Sequence, residues 1–252
     1  MNEAIGRIEI LSDPLALARR AAEWMTDAAL AAKGPFRVSL SGGSTPRTLY
    51  GLLASDEFRP RFPWRQVSWY WGDERFVPHD HPESNYRMVR EAMLSKAPVP
   101  SENIHPVPVD GPPAEAAERY QRILQEAYGA AILDPARPLF DVTLLGLGAD
   151  GHTASLLPGE PVLEDRERWV AVVSHGRREI RITMTFPVIE SSWRVAFLVS
   201  GREKASILRA IRAGASQAPA ARVRPVGEVV WFIDRAAAGE ERTPDRAAAR
   251  SP

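Results

Sequence analysis

Three short stretches of this 252-residue chain gather side chains that can do chemistry. In Gly146-Leu147-Gly148-Ala149-Asp150-Gly151-His152-Thr153 a carboxylate and an imidazole stand two residues apart on a glycine-rich segment. An imidazole held by a carboxylate is the usual arrangement of a general base near neutral pH, which makes Asp150 and His152 candidate catalytic residues. Glycines 146, 148 and 151 also spell the dinucleotide pattern G-x-G-x-x-G. That pattern must run into a substantial helix, and Pro158-Gly159 leaves room for only a turn or so, so the dinucleotide reading is rejected. In Ser41-Gly42-Gly43-Ser44-Thr45-Pro46 paired glycines let a ligand approach the backbone, and their amides can form an anion-binding concavity. Thr45 as N-cap and Pro46 as first helical residue would aim the positive end of a helix dipole at the same place, and a phosphate is the natural ligand. A plain strand-to-helix turn fits that loop equally well. It is not a P-loop, because no Gly-Lys-Ser/Thr follows.

The third stretch, Gly72-Asp73-Glu74-Arg75, follows the aromatic run Trp69-Tyr70-Trp71. Asp73 there can move protons or hold sugar hydroxyls, and Arg75 can pair with an oxyanion or phosphate; a solvated turn with a local ion pair is the competing reading. His79 and His81, two apart, lack the thiols or patterned carboxylates that would make a metal site of them. Farther on, Lys204 lies on the inward stripe of a helix with Leu208 and Ile211, where an ammonium either snorkels outward or faces a buried anion. Arg181 opens a strand and is by itself ordinary. No G-x-S-x-G elbow exists for a hydrolase serine.

Positioning these groups requires strands that end where they begin. Apolar runs alternate with helical patterns nearly throughout, which predicts an α/β fold: one domain, a mostly parallel sheet with helices on both faces. Strands are expected at Arg7–Leu11, Phe36–Leu40, Val67–Trp71, Ile104–Val107, Phe140–Leu147, Trp169–Val173, Ile180–Phe186, Arg194–Val199 and Val229–Ile233. Helices are expected after Asp13, from Pro46, over Asn85–Leu94, over Ala114–Tyr128 and over Arg202–Ile211. The chemical stretches then fall after strands, and in open parallel sheets ligands bind outside the carboxyl ends of strands.

Composition narrows the classes. Lys plus Arg and Asp plus Glu number 32 each, so no net field exists to hold nucleic acid or an anionic membrane. No uncharged stretch approaches the roughly 18 residues of a membrane span, and Met1-Asn2-Glu3-Ala4 does not open like a secretory leader. The absence of cysteine excludes disulfides, cysteine nucleophiles and thiolate metal sites. A cytoplasmic enzyme or binding domain is expected.

Taken together, the segments resemble one family, the 6-phosphogluconolactonases. The matching stretches are Ser41 to Pro46, Trp71 to Pro78 with Ser84-Asn85-Tyr86, Leu145 to Leu156, Arg181 to Thr185 with Pro187-Val188-Ile189, and Ser200 to Ala205, in the family's order and spacing. The wider group includes the glucosamine-6-phosphate isomerase/deaminases, whose fold, Rossmann-like, the resemblance implies for this chain. Asp-Glu-Arg in the second stretch, where the deaminases have Asp-Glu-Tyr, favours the lactonases. So does Thr-Ala-Ser-Leu-Leu-Pro after His152, where the deaminases have an Ile-Ala-Phe-Asn-Glu type. Leu157 and Phe186 depart from the common Phe and Leu. The resemblance implies a lactonase domain over residues 1–235, with 236–252 expected to fray.

It also implies hydrolysis of 6-phospho-D-glucono-1,5-lactone in the oxidative pentose phosphate pathway. His152 and Asp150, with Arg75 and Asp73, would form the catalytic set. Gly42, Gly43, Ser44, Thr45, Gly151, Arg181 and Lys204 would bind the sugar phosphate. Neither a metal nor an organic cofactor is expected, and the partner is the small phosphorylated lactone, with the chain a monomer or small homo-oligomer. A glucosamine-6-phosphate isomerase/deaminase and a non-catalytic sugar-phosphate sensor are the alternatives.

Overall fold

The computed structural model describes residues 6–174 and 179–240. In chain order the strands and helices are β1 (Arg7–Leu11), α1 (Pro14–Ala31), β2 (Phe36–Leu40), α2 (Ser44–Leu53), β3 (Val67–Trp71), β4 (Asp73–Arg75), α3 (Asn85–Val89), β5 (Ile104–His105) and α4 (Pro113–Tyr128). There follow β6 (Val142–Leu145), β7 (Val170–Val173), β8 (Arg181–Met184), α5 (Phe186–Glu190), β9 (Arg194–Val199), α6 (Ala205–Arg212), α7 (Pro219–Arg222), β10 (Glu228–Asp234) and α8 (Arg235–Ala238).

Seven strands pair in the order β1-β10-β9-β6-β2-β3-β5, and every ladder is parallel. Every residue of β6 is buried. Successive strand residues point to opposite faces, so burial without alternation means that both faces of the sheet are covered. The helix α1 begins as its sequence dictates. Asp13 accepts hydrogen bonds from the N–H of Leu15 and Ala16 at 3.0 and 2.9 Å, and Pro14 sits at the first helical position. Its buried stripe, Leu17, Ala18, Ala21, Ala22, Met25 and Ala29, packs toward α2 and β10. Deeper in the sheet, Phe197 and Trp231 stack with ring centroids 3.8 Å apart.

The strand order reverses once in a way that matters. From β2 the chain proceeds outward through β3 to β5, then returns to lay β6 on the other side of β2 and builds outward through β9. The loops after β2 and β6 therefore diverge from adjacent strands in opposite directions and leave a crevice between them. Such a switch point is where open α/β sheets hold ligands.

Several boundaries differ from expectation, each for a local reason. Asp73-Glu74-Arg75 is not a loop but strand β4, which pairs antiparallel with β8, itself paired to β7, in a second three-stranded sheet. The expected strand over Ile180–Phe186 stops at Met184, because Pro187 favours the first turn of α5 and puts Phe186 inside a helix. Over Asn85–Leu94 an α-helical turn passes into a π-helical one at Arg90. At the start of the expected tail, Asp234 caps α8 by accepting from the N–H of Ala237, which is fully buried. Residues 241–252 lie outside the described ones. Among the described residues no helix is long and apolar enough to cross a membrane.

Candidate active site

The loops after β2 and β6, the strand β4 and the end of β9 converge on one cleft of about 270 Å³. Its lining includes Gly42, Gly43, Ser44, Thr45, Asp73, Arg75, His152, Arg181 and Lys204. Asp150 stands behind His152. Gly151 is the exception and is treated below.

The β2 loop is fixed from beneath. The Tyr50 hydroxyl accepts from the N–H of Ser41 at 3.0 Å and donates to its carbonyl at 2.8 Å. Thr45 is not the cap of α2: the helix begins at Ser44, and Gly43 takes the cap position with φ 106°, a region that an L side chain rarely adopts. Among the described residues no side chain caps this helix, so its leading N–H groups face the cleft with the dipole's positive end. Gly42 is required for a different reason. A Cβ there would fall 2.1 Å from Asn85 Oδ1, and Asn85 in turn donates through Nδ2 to the Asp73 carbonyl at 3.0 Å.

Alternation along β4 sorts its three charged residues. Asp73 and Arg75 line the cleft, while Glu74 points the other way into the N-terminus of α3. There it accepts from the N–H of Asn85 and Tyr86, each at 2.8 Å, from the N–H of Arg75 at 2.7 Å and from the Ser84 hydroxyl at 3.1 Å. Burial pushes its carboxyl up to about 7, against the pull of those three N–H groups, with the Asp73 charge adding to the rise. Glu74 thus ties the cleft strand to the helix that carries Asn85.

Arg75 and Arg181 are opposite partners across β4 and β8. Like charges so placed repel, and an anion between them would relieve the cost. Arg75 donates to the Glu83 carbonyl at 2.6 Å, and Arg181 pairs with Glu179 at 2.5 Å, which holds the Glu179 carboxyl below its ordinary range. Both guanidinium groups keep a buried Nε with no hydrogen-bond partner among the described residues. Unpaired buried donors are rare, and a ligand oxygen accepting from these two would satisfy them. Lys204 follows the turn at Ser200-Gly201, and Asp234 fixes that turn by accepting from the Ser200 hydroxyl at 2.6 Å and the Gly201 N–H at 3.2 Å. The Lys204 ammonium lies 3.8 Å from a Glu203 carboxylate oxygen.

On the β6 loop, Asp150 Oδ1 meets His152 Nδ1 at 2.5 Å and the His152 N–H at 3.2 Å. Partial burial raises the Asp150 carboxyl, but these bonds outweigh it and leave it below its ordinary range. With Nδ1 donating to the carboxylate, Nε2 is the basic nitrogen of the ring. Gly148 permits the pairing, since a Cβ there would fall 2.1 Å from His152 Nδ1. After His152 the chain makes a tight turn closed by a bridge between Thr153 and Leu156, not the helix a dinucleotide motif needs.

Gly151 does not line the cleft. It has φ 84°, and a Cβ would come 2.3 Å from Ala218 Cβ and 3.1 Å from Ile207 Cδ1, so the glycine serves packing against α6 and the segment before α7. Gly151→Ala is expected to cost about 2–4 kcal/mol through left-handed strain and overpacking. The melting temperature should fall by roughly 5–10 °C, and an unchanged melting curve would refute the packing role.

His79 and His81 serve local structure: His79 Nε2 bonds the Val107 carbonyl at 2.9 Å and its ring packs on Tyr86, while His81 Nδ1 accepts from the Glu83 N–H at 3.2 Å. Among the described residues no group of three or more His, Cys, Asp or Glu is placed to hold a metal ion. Sequence reading passed over Glu74, Asn85 and Ser155, although all three lie inside the motif stretches. Their roles depend on partners distant in the chain.

A parallel sheet with an anion cleft at its switch point, and an Asp-His pair in the cleft wall, defines a class of α/β proteins that bind small phosphorylated ligands. The chain belongs to the glucosamine-6-phosphate isomerase/6-phosphogluconolactonase family, whose model matches residues 12–231. It is 39% identical over 241 residues to a 6-phosphogluconolactonase of a Nostoc species, covering 92% of this chain and 97% of the relative. The crystal structure of 6-phosphogluconolactonase from Thermotoga maritima superposes with a TM-score of 0.78 at 32% identity, covering 90% of this chain and 99% of that one. A monomeric glucosamine-6-phosphate deaminase, at 20% identity and a TM-score of 0.78, covers 93% of this chain and 100% of its own, and shares the fold.

Proposed function

We propose that the chain is a 6-phosphogluconolactonase, which hydrolyses 6-phospho-D-glucono-1,5-lactone to 6-phospho-D-gluconate in the oxidative pentose phosphate pathway. The observation that carries the reading is the placing of an Asp150–His152 pair and three cationic side chains, Arg75, Arg181 and Lys204, around one cleft. In this mechanism His152 Nε2 takes a proton from water as the water oxygen attacks the lactone carbonyl. The imidazolium, held by Asp150, then gives that proton to the ring oxygen as the C–O bond breaks. Arg75 or the backbone amides of the glycine loops receive the oxyanion, each donor lowering the barrier by about 3 kcal/mol. Lys204, Arg181 and the α2 N-terminus with Gly42 to Thr45 take the phosphate, and Asp73 accepts a sugar hydroxyl. A lactone carbonyl yields to activated water, so these steps need neither a metal nor an organic cofactor. A small phosphorylated sugar as substrate is in keeping with a cytoplasmic site of action, with the chain a monomer or small homo-oligomer.

The test is proton release from freshly generated 6-phosphogluconolactone. It should run far above the spontaneous ring opening, while glucosamine-6-phosphate yields no ammonia. Phosphosugar binding without acceleration would make the protein a sensor, and ammonia release would make it a deaminase; either result defeats the proposal.

A further inference from the structure

Beyond the Asp-His pair, the turn that follows it carries a second device. Ser155 is fully buried, and its hydroxyl donates to Asp73 Oδ2 at 2.7 Å. Its own N–H donates to Thr183 Oγ1 at 3.3 Å, and Thr183 is the residue opposite Asp73 across β4 and β8. The turn is under strain: Ala154, with φ 48°, is the only non-glycine residue with positive φ among the described ones. Such strain persists where surrounding structure enforces it, and it clusters at working sites. Here the enforcement is visible in the Thr153–Leu156 bridge and in Thr153 Oγ1 donating to the Gly146 carbonyl at 2.8 Å. The strained residue sits between the imidazole and the serine.

Asp73 lines the cleft yet is 6% exposed, and among the described residues its Oδ1 has no hydrogen-bond donor. A carboxylate with one oxygen bonded within the protein and the other free can present that free oxygen in only one direction.

We propose that Ser155 is a positioning residue, whose hydroxyl anchors one oxygen of Asp73 so that the other is presented as a fixed acceptor for a sugar hydroxyl in the cleft. The proposal rests on the lactonase reading for its ligand, a phosphorylated polyhydroxy acid or its lactone. A free hydroxyl on the ligand fills the remaining acceptor position, and the same turn fixes both this acceptor and His152. The two groups therefore hold their relative placement as one unit. Binding through Asp73 is common to ground and transition states, so its loss falls on KM rather than on kcat.

The experiment is a double-mutant cycle with Ser155→Ala and Asp73→Ala, read by lactone kinetics and by calorimetric titration with 6-phosphogluconate. Ser155→Ala alone should raise KM and the 6-phosphogluconate Kd about tenfold, the scale of one hydrogen bond to a charged acceptor, with kcat within about twofold. Added to Asp73→Ala, it should change neither by more than about twofold, because a residue acting through Asp73 has nothing left to act on. Unchanged binding in the single variant, or the same tenfold loss without Asp73, would overturn the proposal. If Ser155→Ala does not fold, Ser155→Cys, similar in volume and a weak donor, carries the same cycle. A wild-type protein that binds 6-phosphogluconate without hydrolysing the lactone would defeat the lactonase reading, while the titrations still decide the role of Ser155.

Discussion

His152→Ala should lower kcat for 6-phosphogluconolactone about a thousandfold, with KM changed only a few-fold and the circular dichroism spectrum unaltered. The size follows from the role. A positioned general base that later acts as the acid supplies roughly two to four orders of magnitude, and among the described residues no other group in the cleft wall is paired for the same work. Asp73 has its Oδ2 committed to Ser155, and Glu74 faces α3 behind the cleft. The fold should tolerate the change because His152 lies on a loop, half-buried, and among the described residues its ring is bonded only to Asp150. Residual turnover is expected from the oxyanion donors and phosphate contacts, which still hold the lactone beside water. The measurement is steady-state kinetics corrected for spontaneous ring opening. Near-normal turnover in this variant would remove His152 from the chemistry and leave Asp73 as the base.

What could be read from sequence alone divides by how far each feature depends on distant partners. Strands β2, β3 and β9 end where expected, because their largely apolar runs are bounded by proline, glycine or polar residues and are buried whatever lies beside them. Asp13 and Pro14 announce α1 through bonds within three residues. By contrast, β4 is three charged residues with no apolar run. It becomes a strand only because β8 pairs with it, and no local pattern encodes that pairing.

The site divides in the same way. His152 and Asp150 meet within one loop, so their spacing was informative. Gly151 shares that loop, and its letter alone does not distinguish a glycine that admits a ligand from one that admits a neighbouring helix; the contact with Ala218 decides it. Glu74 and Ser155 were invisible for a related reason. Each reads as an ordinary polar residue until the chain brings to it the group it holds, the α3 N-terminus for one and Asp73 for the other. The cationic pair Arg75 and Arg181 was legible as two charges but not as neighbours.

Lys204→Ala should raise KM for the lactone about thirtyfold while kcat stays within about threefold. Lys204 is held toward the cleft by a turn that Asp234 anchors, and its side chain is only 22% exposed, so the ammonium is positioned rather than free to swing into solvent. Losing one charge-assisted contact to a phosphate costs about 2 kcal/mol, which is roughly thirtyfold in affinity. The 6-phosphate takes no part in bond making or breaking, so that contact is the same before and during the attack on the carbonyl, and its loss falls on KM. Glu203 sharpens the expectation. Without Lys204 its carboxylate stands in a cleft meant for an anion with no ammonium beside it, so Lys204→Ala both removes an attraction and unmasks a repulsion. Lys204→Ala/Glu203→Gln should therefore recover part of the lost affinity. Added salt should shrink the gap between Lys204→Ala and wild type, since screening weakens attraction and repulsion alike. A fall in kcat with KM unchanged would place the lysine at the reacting carbonyl instead, and the phosphate would then fall to Arg75, Arg181 and the open N-terminus of α2.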